Sequence, residues 1–309
     1  MNMPNSSRPT VALIAGPTAS GKSALAIALA QATGGTVINA DSAQVYAELR
    51  VLSARPSAEE EAQAPHRLFG HVTGTDDYSA ARWAAEAKAE IAAAQGRCSL
   101  PILVGGTGMY IRTLLDGIAP VPGIDPAIRA EVRALPVAEA HALLVKRDPD
   151  AAARLAPADL CPLPVGERPA GGGHDFQRAR DAGGVGGIGD QIDLAPLILL
   201  PDRIWLTERC DRRLTAMFDE GAIDEVAALL ARDDIPPEAP VRKAIGVPEI
   251  AAMLAGEIGR AEALERAQAA TRQYAKRQYT WLRHQPPPDW PRTDATDIIN
   301  RMLHFARIV

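Results

Sequence analysis

Short apolar runs alternate with longer alanine-rich segments over roughly the first 115 residues of this chain. The runs at 11–15, 36–40 and 100–104 have the length of buried strands, whereas 24–31 and 79–95 have the length and composition of helices. Strands and helices that take turns along a chain are typical of a parallel sheet covered by helices on both faces. The pattern therefore predicts an α/β fold.

The pattern changes after residue 120, where short alanine-rich helices replace the alternation. We predict a small helical domain inserted at 121–193, with 1–120 and 194–309 forming the core domain. Within the insert, 160–187 holds eight glycines and three prolines in 28 positions and shows no periodicity. Composition of this kind predicts a disordered loop. Beyond it, the pattern predicts a strand at 197–200 and helices at 208–220, 223–232 and 260–284.

The last of these helices carries a local concentration of positive charge. From Arg266 to Pro288 the chain has no acidic residue, although its formal net charge is −5. One helical face, within roughly 40° of a single direction, holds Arg272, Lys276, Tyr279 and Arg283, and another holds Leu264, Ala267, Tyr274 and Trp281. Basic helices are more often solvated surfaces, but a basic face with interleaved aromatic rings suits a nucleic-acid backbone and unstacked bases, and the absence of acidic residues favours RNA as a partner.

The turn after the first strand fits the phosphate-binding pattern G-x-x-x-x-G-K-[ST] at every fixed position. It consists of Gly16, Pro17, Thr18, Ala19, Ser20, Gly21, Lys22 and Ser23. The order of strand, loop and helix is the context that this pattern requires, and it predicts a P-loop NTPase-like sheet. Glycines let backbone N–H groups face an oligophosphate, Lys22 adds a point charge, and the Ser23 hydroxyl suits Mg²⁺.

Other polar residues follow the ends of predicted strands, where ligands bind in open α/β sheets. From position alone, Asp41 fits a general base, a magnesium ligand or a turn-capping residue equally well. Thr107 fits either a substrate contact or a simple strand-to-helix turn. Arg209, Arg212 and Arg213 can reach a phosphate group or form a solvated helix face.

Composition narrows the class of protein further. Hydrophobic residues make up 47% of the chain and charged residues 23%, and no apolar run approaches the roughly 20 residues of a membrane helix. The first residues contain no apolar signal segment, and the three cysteines, Cys98, Cys161 and Cys210, suggest neither disulfides nor a metal site. We expect a cytoplasmic protein without membrane contact, and a monomer.

Taken together, these blocks resemble the tRNA dimethylallyltransferase family. The resemblance rests on residues 16–23, 41–46 (DSAQVY), 64–68 (APHRL), 103–110 (LVGGTGMY) and 271–283 (TRQYAKRQYTWLR). They occur in the family's order and span nearly the whole chain apart from the glycine-rich segment. Although a phosphate loop alone fits many NTPases, the combination with the second and last blocks is specific to this family.

The resemblance implies transfer of a dimethylallyl group from dimethylallyl diphosphate to the exocyclic amine of the adenosine 3′ of the anticodon. It implies that Gly16 to Ser23 cradle the diphosphate, that Lys22 and Arg209 neutralise it, and that Ser23 helps to hold Mg²⁺. Asp41 would be the general base, and Thr107 would join it in the catalytic set. By family position, the residues that would touch the tRNA anticodon stem-loop are Asp41, Ser42, Ala43, Gln44, Thr107, Arg129, Arg242, Lys243, Ala244, Ile245, Gly246, Val247, Lys276, Arg277, Gln278, Tyr279, Thr280, Trp281, Leu282 and Arg283.

The chain departs from the family pattern at three places. Residues 52–56 (LSARP) keep a basic residue before proline but lose a glycine, and 245–248 (IGVP) lack an arginine. At 160–187 the family's arginine-containing helix is replaced by the glycine-rich run. The sequence on both sides of this run matches the family pattern, and only the run itself does not. Our hypothesis is therefore a pair of compensating frameshifts in the gene or its sequencing, which translation of the other two reading frames would test.

Two other classes of function fit parts of the sequence. A P-loop kinase or nucleotide hydrolase would use the loop to bind ATP, but it has no use for the basic aromatic helix. A non-catalytic RNA-binding descendant would use the helix and would fit the altered insert. Label transfer from dimethylallyl diphosphate to tRNA without ATP separates the first class from a prenyl transferase.

Overall fold

The structure is a computed structural model, and it describes residues 8–118, 128, 131–132, 134–153 and 185–297. The strands, in chain order, are β1 (Thr10–Ala15), β2 (Thr36–Asn39), β3 (His66–Arg67), β4 (Pro101–Gly105), β5 (Gly117–Ile118), β6 (Val185–Gly186), β7 (Asp193–Leu199) and β8 (Arg292–Thr293). The helices are α1 (Lys22–Thr33), α2 (Ala58–Glu61), α3 (Ala80–Gly96), α4 (Gly108–Asp116), α5 (Val137–Arg147), α6 (Pro149–Ala152), α7 (Arg203–Asp219), α8 (Ala222–Leu230), α9 (Val247–Leu254) and α10 (Arg260–His284). A short 3₁₀ turn covers Pro240–Lys243.

Six strands form one parallel sheet in the order β3-β2-β4-β1-β7-β8. The central strand β1 pairs with β4 on one side and with β7 on the other, so its carboxyl end lies in the middle of the sheet edge. Loops that follow β1, β2 and β4 therefore leave the sheet side by side. This edge is where ligands bind in open parallel sheets.

Both faces of the sheet are buried, as the near-continuous apolar strands predict. Alternate residues of β1 enter different clusters: Ala12 and Ile14 pack with α1, whereas Val11 and Leu13 pack in the larger cluster that includes Trp83 of α3. Helices cover the sheet on two sides, which confirms the predicted fold class.

Helix boundaries follow local capping. Ser79 accepts a hydrogen bond from the Arg82 N–H at 3.2 Å, which confirms it as the N-cap of α3. Helix α7 begins five residues earlier than predicted, because the Asp202 carboxylate caps the N–H groups of Ile204 and Trp205. Helix α10 has the predicted bounds, 260–284. Helix α9 was not predicted, since it is short and contains a proline.

The described residues divide into two compact units, one within 1–115 and 187–309 and one within 116–186. The smaller unit contains α5, α6 and the antiparallel pair β5-β6. Arg129 and most of the glycine-rich segment, 160–184, lie outside the described residues. None of the helices in the described ranges combines the length and apolar character needed to cross a membrane.

Candidate active site

The loop between β1 and α1 is a tight turn with two residues in the left-handed region. Its backbone turns back where the Ser20 N–H donates to the Pro17 carbonyl oxygen at 3.2 Å. Ala19 has φ 62° and Gly21 has φ 85°. Left-handed residues among right-handed ones direct successive N–H groups toward one concavity, an anion-binding nest. The loop at the start of α1 is therefore built to receive a phosphate group.

Lys22 at the first position of α1 is a buried cation. Its side chain is only 7% exposed, and Nζ donates to the Pro17 carbonyl oxygen at 3.4 Å. Burial lowers the pKa of Lys22, the nearby Asp41 carboxylate opposes that shift, and the Arg213 guanidinium adds to it. An anion that binds in the loop would therefore stabilise the charged form of Lys22.

Two arginines of α7 reach the same loop. Arg209 Nε donates to the Ala19 carbonyl oxygen at 3.0 Å, and its guanidinium lies over the Trp205 ring at 4.8 Å. Arg213 Nη2 donates to the Thr18 hydroxyl. Burial lowers the pKa of Arg213, while Cys210 and Asp41 raise it. Three cations, Lys22, Arg209 and Arg213, thus surround one turn of backbone.

Asp41 lies directly after β2 and is held by its own local network. Its side chain is 7% exposed, and Oδ1 accepts from the Ala43 N–H at 3.0 Å. The Asn39 side chain accepts from the Asp41 N–H at 2.8 Å and donates to the Asp41 and Leu68 carbonyl oxygens, each at 3.0 Å. The turn-capping role considered for Asp41 is real. The hydrogen bond from the Ala43 N–H fixes the orientation of the carboxylate.

Thr107 ties the turn after β4 to the turn after β2. Its Oγ1 accepts from the Ser42 N–H at 3.0 Å and donates to Ser42 Oγ at 3.3 Å. A Cβ on Gly105 would lie 2.1 Å from the Ala40 carbonyl oxygen, so only glycine permits this close approach. Asp41 and Thr107 are consequently neighbours in space.

The inner face of α10 closes over both turns. Gln278 is buried, its Oε1 accepts from the Thr18 N–H at 2.7 Å, and its Nε2 donates to the Gly106 carbonyl oxygen at 3.1 Å. One turn further on, the Trp281 ring lies against Gly108, where a Cβ would stand 2.5 Å from ring carbons. Helix α10 therefore packs directly on the phosphate loop and on the glycine turn.

Tyr274 lies on the flank of α10 that faces Asp41. Burial raises the pKa of the Tyr274 phenol well above its usual value, and the Asp41 carboxylate adds to the shift. The Arg277 guanidinium lies 5.8 Å from the centre of the Tyr274 ring. The phenol stays protonated at neutral pH, and it forms side-chain hydrogen bonds with Thr107 and Gln278.

The outer face of α10 is basic and exposed. Lys276, Arg277, Thr280 and Arg283 are exposed to solvent. The first three, with Trp281, line part of a depression of about 580 Å³. Another residue predicted for the basic face, Arg272, forms an ion pair with Asp211 of α7 at 2.7 Å. The half-buried Tyr279 ring lies under the Arg203 guanidinium, 4.9 Å away.

Several residues predicted to touch tRNA serve structural contacts in this structure. Leu282 is fully buried in the core. The Gln44 amide is buried and donates to the carbonyl oxygens of Ser53 at 3.1 Å and Ala54 at 2.7 Å. The Arg242 guanidinium donates to backbone carbonyls of Arg232 and Ile235. These three side chains are therefore already occupied by protein contacts.

The remaining predicted positions range from exposed to buried. Lys243 is exposed, Ala244 and Ile245 are half-buried, and Gly246 and Val247 are buried. Ser42 and Ala43 are half-buried beside Asp41. Ser23 is half-buried in the first turn of α1.

The sequence pattern leaves the role of Arg213 open and gives no sign that Gln278 contacts the phosphate loop. Arg213 follows Arg209 by four residues, so the two share a helix face, and that spacing was the available signal. No local signal marks Gln278, because its partners, Thr18 and Gly106, lie 260 and 172 positions away. Within the described ranges, no group of three or more His, Cys, Asp and Glu side chains is arranged to hold a metal ion.

Comparison with known proteins gives consistent matches. Residues 44–285 match the family described as IPP transferase, and residues 9–73 match the one described as isopentenyl transferase. The tRNA dimethylallyltransferase of Sphingopyxis alaskensis is 62% identical over 287 residues, covering 91% of this chain and 92% of that protein. The tRNA dimethylallyltransferase of Erythrobacter litoralis is 56% identical over 299 residues, covering 94% and 93%.

Solved structures agree with the sequence matches. The crystal structure of the tRNA isopentenylpyrophosphate transferase from Bacillus halodurans has a TM-score of 0.68 and 30% identity, covering 97% of this chain and 95% of that one. The structure of a eukaryotic dimethylallyltransferase acting on tRNA has a TM-score of 0.69 and 28% identity. The match covers 89% of this chain and 70% of the eukaryotic chain.

Proposed function

This chain belongs to the IPP transferase family, and we propose that it transfers a dimethylallyl group from dimethylallyl diphosphate to tRNA. The acceptor is the exocyclic amine of the adenosine 3′ of the anticodon. One observation carries the proposal. The buried Asp41 carboxylate lies near the buried Lys22 of the phosphate loop, where it opposes the lowering of the Lys22 pKa by burial. This proximity supports a reaction in which a base and a binding site for the leaving group act together.

The phosphate loop and its three cations suit a departing diphosphate. In the reaction, a bond forms between the adenine nitrogen and the allylic carbon while the bond from that carbon to the diphosphate oxygen breaks. Negative charge grows on the departing oxygen, where the N–H groups of the loop and Lys22, Arg209 and Arg213 would stabilise it. A diphosphate is sufficient for this purpose, and no nucleoside triphosphate takes part.

The Ser23 hydroxyl beside the loop is an oxygen ligand of the kind that Mg²⁺ prefers, and the family implies this ion. The ion takes few protein ligands and usually keeps waters and substrate phosphates in its shell. The Ser23 hydroxyl at the start of α1 would hold it beside the diphosphate. When bound, Mg²⁺ would neutralise part of the diphosphate charge.

Asp41 and Thr107 would act at the acceptor. Asp41 would take the proton from the adenine amine as that nitrogen attacks the allylic carbon. The amine is barely basic, so it is a poor nucleophile until this proton is removed. Thr107 fixes Ser42 and so holds the turn that carries Asp41 in place. The neighbouring Tyr274 phenol remains protonated, so it does not compete as a base.

The exposed face of α10 would bind the RNA. Lys276, Arg277 and Arg283 suit phosphate groups, and the depression beside Trp281 suits an unstacked base. The adenosine must leave its stack to reach Asp41, at a cost of a few kcal/mol that contacts elsewhere on the tRNA offset.

The proposed function is tested by incubating the protein with unmodified tRNA, Mg²⁺ and dimethylallyl diphosphate labelled in the prenyl group. We expect label in the tRNA without ATP, in proportion to released diphosphate. Digestion to nucleosides should place the label on one modified adenosine. Phosphorylation of a small molecule by ATP, with no label in tRNA, would instead establish the kinase class.

Removing two cations from the exposed face of α10 should weaken RNA binding in a salt-dependent way. For the double variant Lys276→Gln, Arg283→Gln, we expect the slope of log affinity against log salt to become shallower by about 1 for each phosphate group that the variant no longer neutralises. The measurement is a titration of anticodon stem-loop RNA at several salt concentrations. Arg266→Gln is the matched control, because Arg266 is exposed on the same helix but pairs with Glu262. An unchanged slope in the double variant would place the RNA on another surface.

A further inference from the structure

Gln278 joins the helix that would bind RNA to the loop that would bind diphosphate. Its amide is 6% exposed and uses both ends: Oε1 accepts from the Thr18 N–H, and Nε2 donates to the Gly106 carbonyl oxygen. A buried amide with both ends paired holds a single orientation, since rotating it by 180° would oppose donor to donor and acceptor to acceptor. The contact is therefore specific rather than space-filling.

The segments around Gln278 are packed too closely to move independently. A Cβ on Gly106 would lie 2.5 Å from Gln278 Nε2 and 2.6 Å from the Gly16 carbonyl oxygen. Three backbones, those of the phosphate loop, the glycine turn and α10, thus meet at one point. A displacement of α10 must therefore be shared by the loop, or it lengthens the hydrogen bonds of Gln278.

The residues on either side of Gln278 in α10 point in other directions. Lys276 and Thr280, two positions before and after it, are exposed on the face that would contact RNA. A helix is stiff over one turn, so contacts made at these positions fix where the Gln278 amide stands. Thr18 contacts two helices: its hydroxyl accepts from Arg213 of α7, and its backbone N–H donates to Gln278 of α10.

We propose that Gln278 is a positioning residue that couples RNA binding on the outer face of α10 to diphosphate binding in the loop at 16–23. The inference rests on the proposed function and deepens it. RNA bound to α10 favours the helix position in which Gln278 holds Thr18 and Gly106, and that loop conformation binds diphosphate more tightly. Because coupling between two binding equilibria is reciprocal, diphosphate tightens RNA binding by the same factor.

The test is a thermodynamic cycle with inorganic diphosphate, Mg²⁺ and anticodon stem-loop RNA at constant ionic strength. Calorimetric titration gives the Kd of diphosphate with and without saturating RNA, and the Kd of RNA with and without diphosphate. For the native protein we expect each ligand to tighten the other about fivefold or more. Gln278→Met keeps the volume of the side chain and removes the hydrogen bonds to Thr18 and Gly106, together with the one to the Tyr274 phenol. We expect its coupling factor to fall below about twofold, with each ligand still binding alone.

Gln268→Met is the matched control on the same helix. Gln268 also makes two side-chain hydrogen bonds, donating to the Asp211 carbonyl oxygen and to Thr215 Oγ1, but both partners belong to α7. It should keep the native coupling factor. Gln278→Glu is the second variant, because it keeps an acceptor for Thr18 and removes the donor for Gly106. We expect an intermediate factor, and the same titration applies if the methionine variant does not fold.

The outcomes separate this inference from the proposed function. Native protein that binds no RNA contradicts the proposed function. Native protein that binds both ligands without coupling, or a Gln278→Met variant that keeps the native factor, overturns the role of Gln278 alone.

Discussion

We expect Asp41→Asn to lower the rate of dimethylallyl transfer about 10³-fold, which is within the range that a positioned general base contributes. Asparagine keeps the size of the side chain and an oxygen that can accept from the Ala43 N–H, so the turn after β2 survives. It cannot take the proton from the adenine amine. The measurement is a single-turnover assay with both substrates saturating, which isolates the chemical step from binding.

The control for this variant is Asp233→Asn, which alters an exposed aspartate and should leave the rate unchanged. RNA affinity of Asp41→Asn should stay within a few-fold of native, since one buried contact among many changes. A rate close to native in Asp41→Asn would show that another group removes the proton.

Lys22→Met should reduce kcat/KM for dimethylallyl diphosphate by about 10² or more, because it removes the buried cation that faces the leaving group. Without its anion, a buried ammonium costs free energy of folding. We therefore expect the urea midpoint of the variant to equal or exceed that of the native protein. Loss of activity with no loss of stability is a combination that a misfolded variant would not produce.

Lys22→Arg is the matched comparison. It keeps the charge, but a planar guanidinium does not occupy the space of an ammonium within a tight loop. We expect it to remain at least about tenfold below native in kcat/KM for the donor. Full activity in Lys22→Met would mean that Arg209 and Arg213 suffice to bind the diphosphate, whereas full activity in Lys22→Arg would mean that any cation at this position is sufficient.

The pH dependence of donor binding follows from the same buried cation. Burial lowers the pKa of Lys22 and the Asp41 carboxylate partly restores it. The affinity for inorganic diphosphate should therefore decline as pH rises through the pKa of Lys22. In Asp41→Asn the restoring charge is gone, so the decline should begin at lower pH than in the native protein. The measurement is a calorimetric titration of diphosphate at several pH values.

Features fixed by neighbouring residues were predicted well from the sequence. The phosphate loop depends on glycines and a lysine within eight positions, and β1 and α1 flank it as predicted. The helix at 260–284 has an unbroken run without proline or glycine, so its length was plain. The parallel sheet followed from alternating segments of short apolar runs and helices.

Features fixed by distant contacts were not predicted. Gln278 and Leu282 stand among basic residues, and their burial depends on where α10 docks. Helical periodicity placed the buried side of α10 on Leu264, Ala267, Tyr274 and Trp281. The buried side chains instead centre on Ala267, Thr271, Ala275, Gln278 and Leu282, because α10 packs against α9 as well as against α7. A single sequence contains no signal for that second neighbour.

The contact between Thr18 and Gln278 also bears on how the protein is made. The two residues are separated by 260 positions, and ribosomes add about 5–20 residues per second. A nascent chain therefore exposes its phosphate loop for some tens of seconds before the residue that anchors it has been synthesised. During that interval the growing polypeptide lacks the side chain that holds the phosphate loop in place. We therefore expect the loop to bind the donor only near the end of translation.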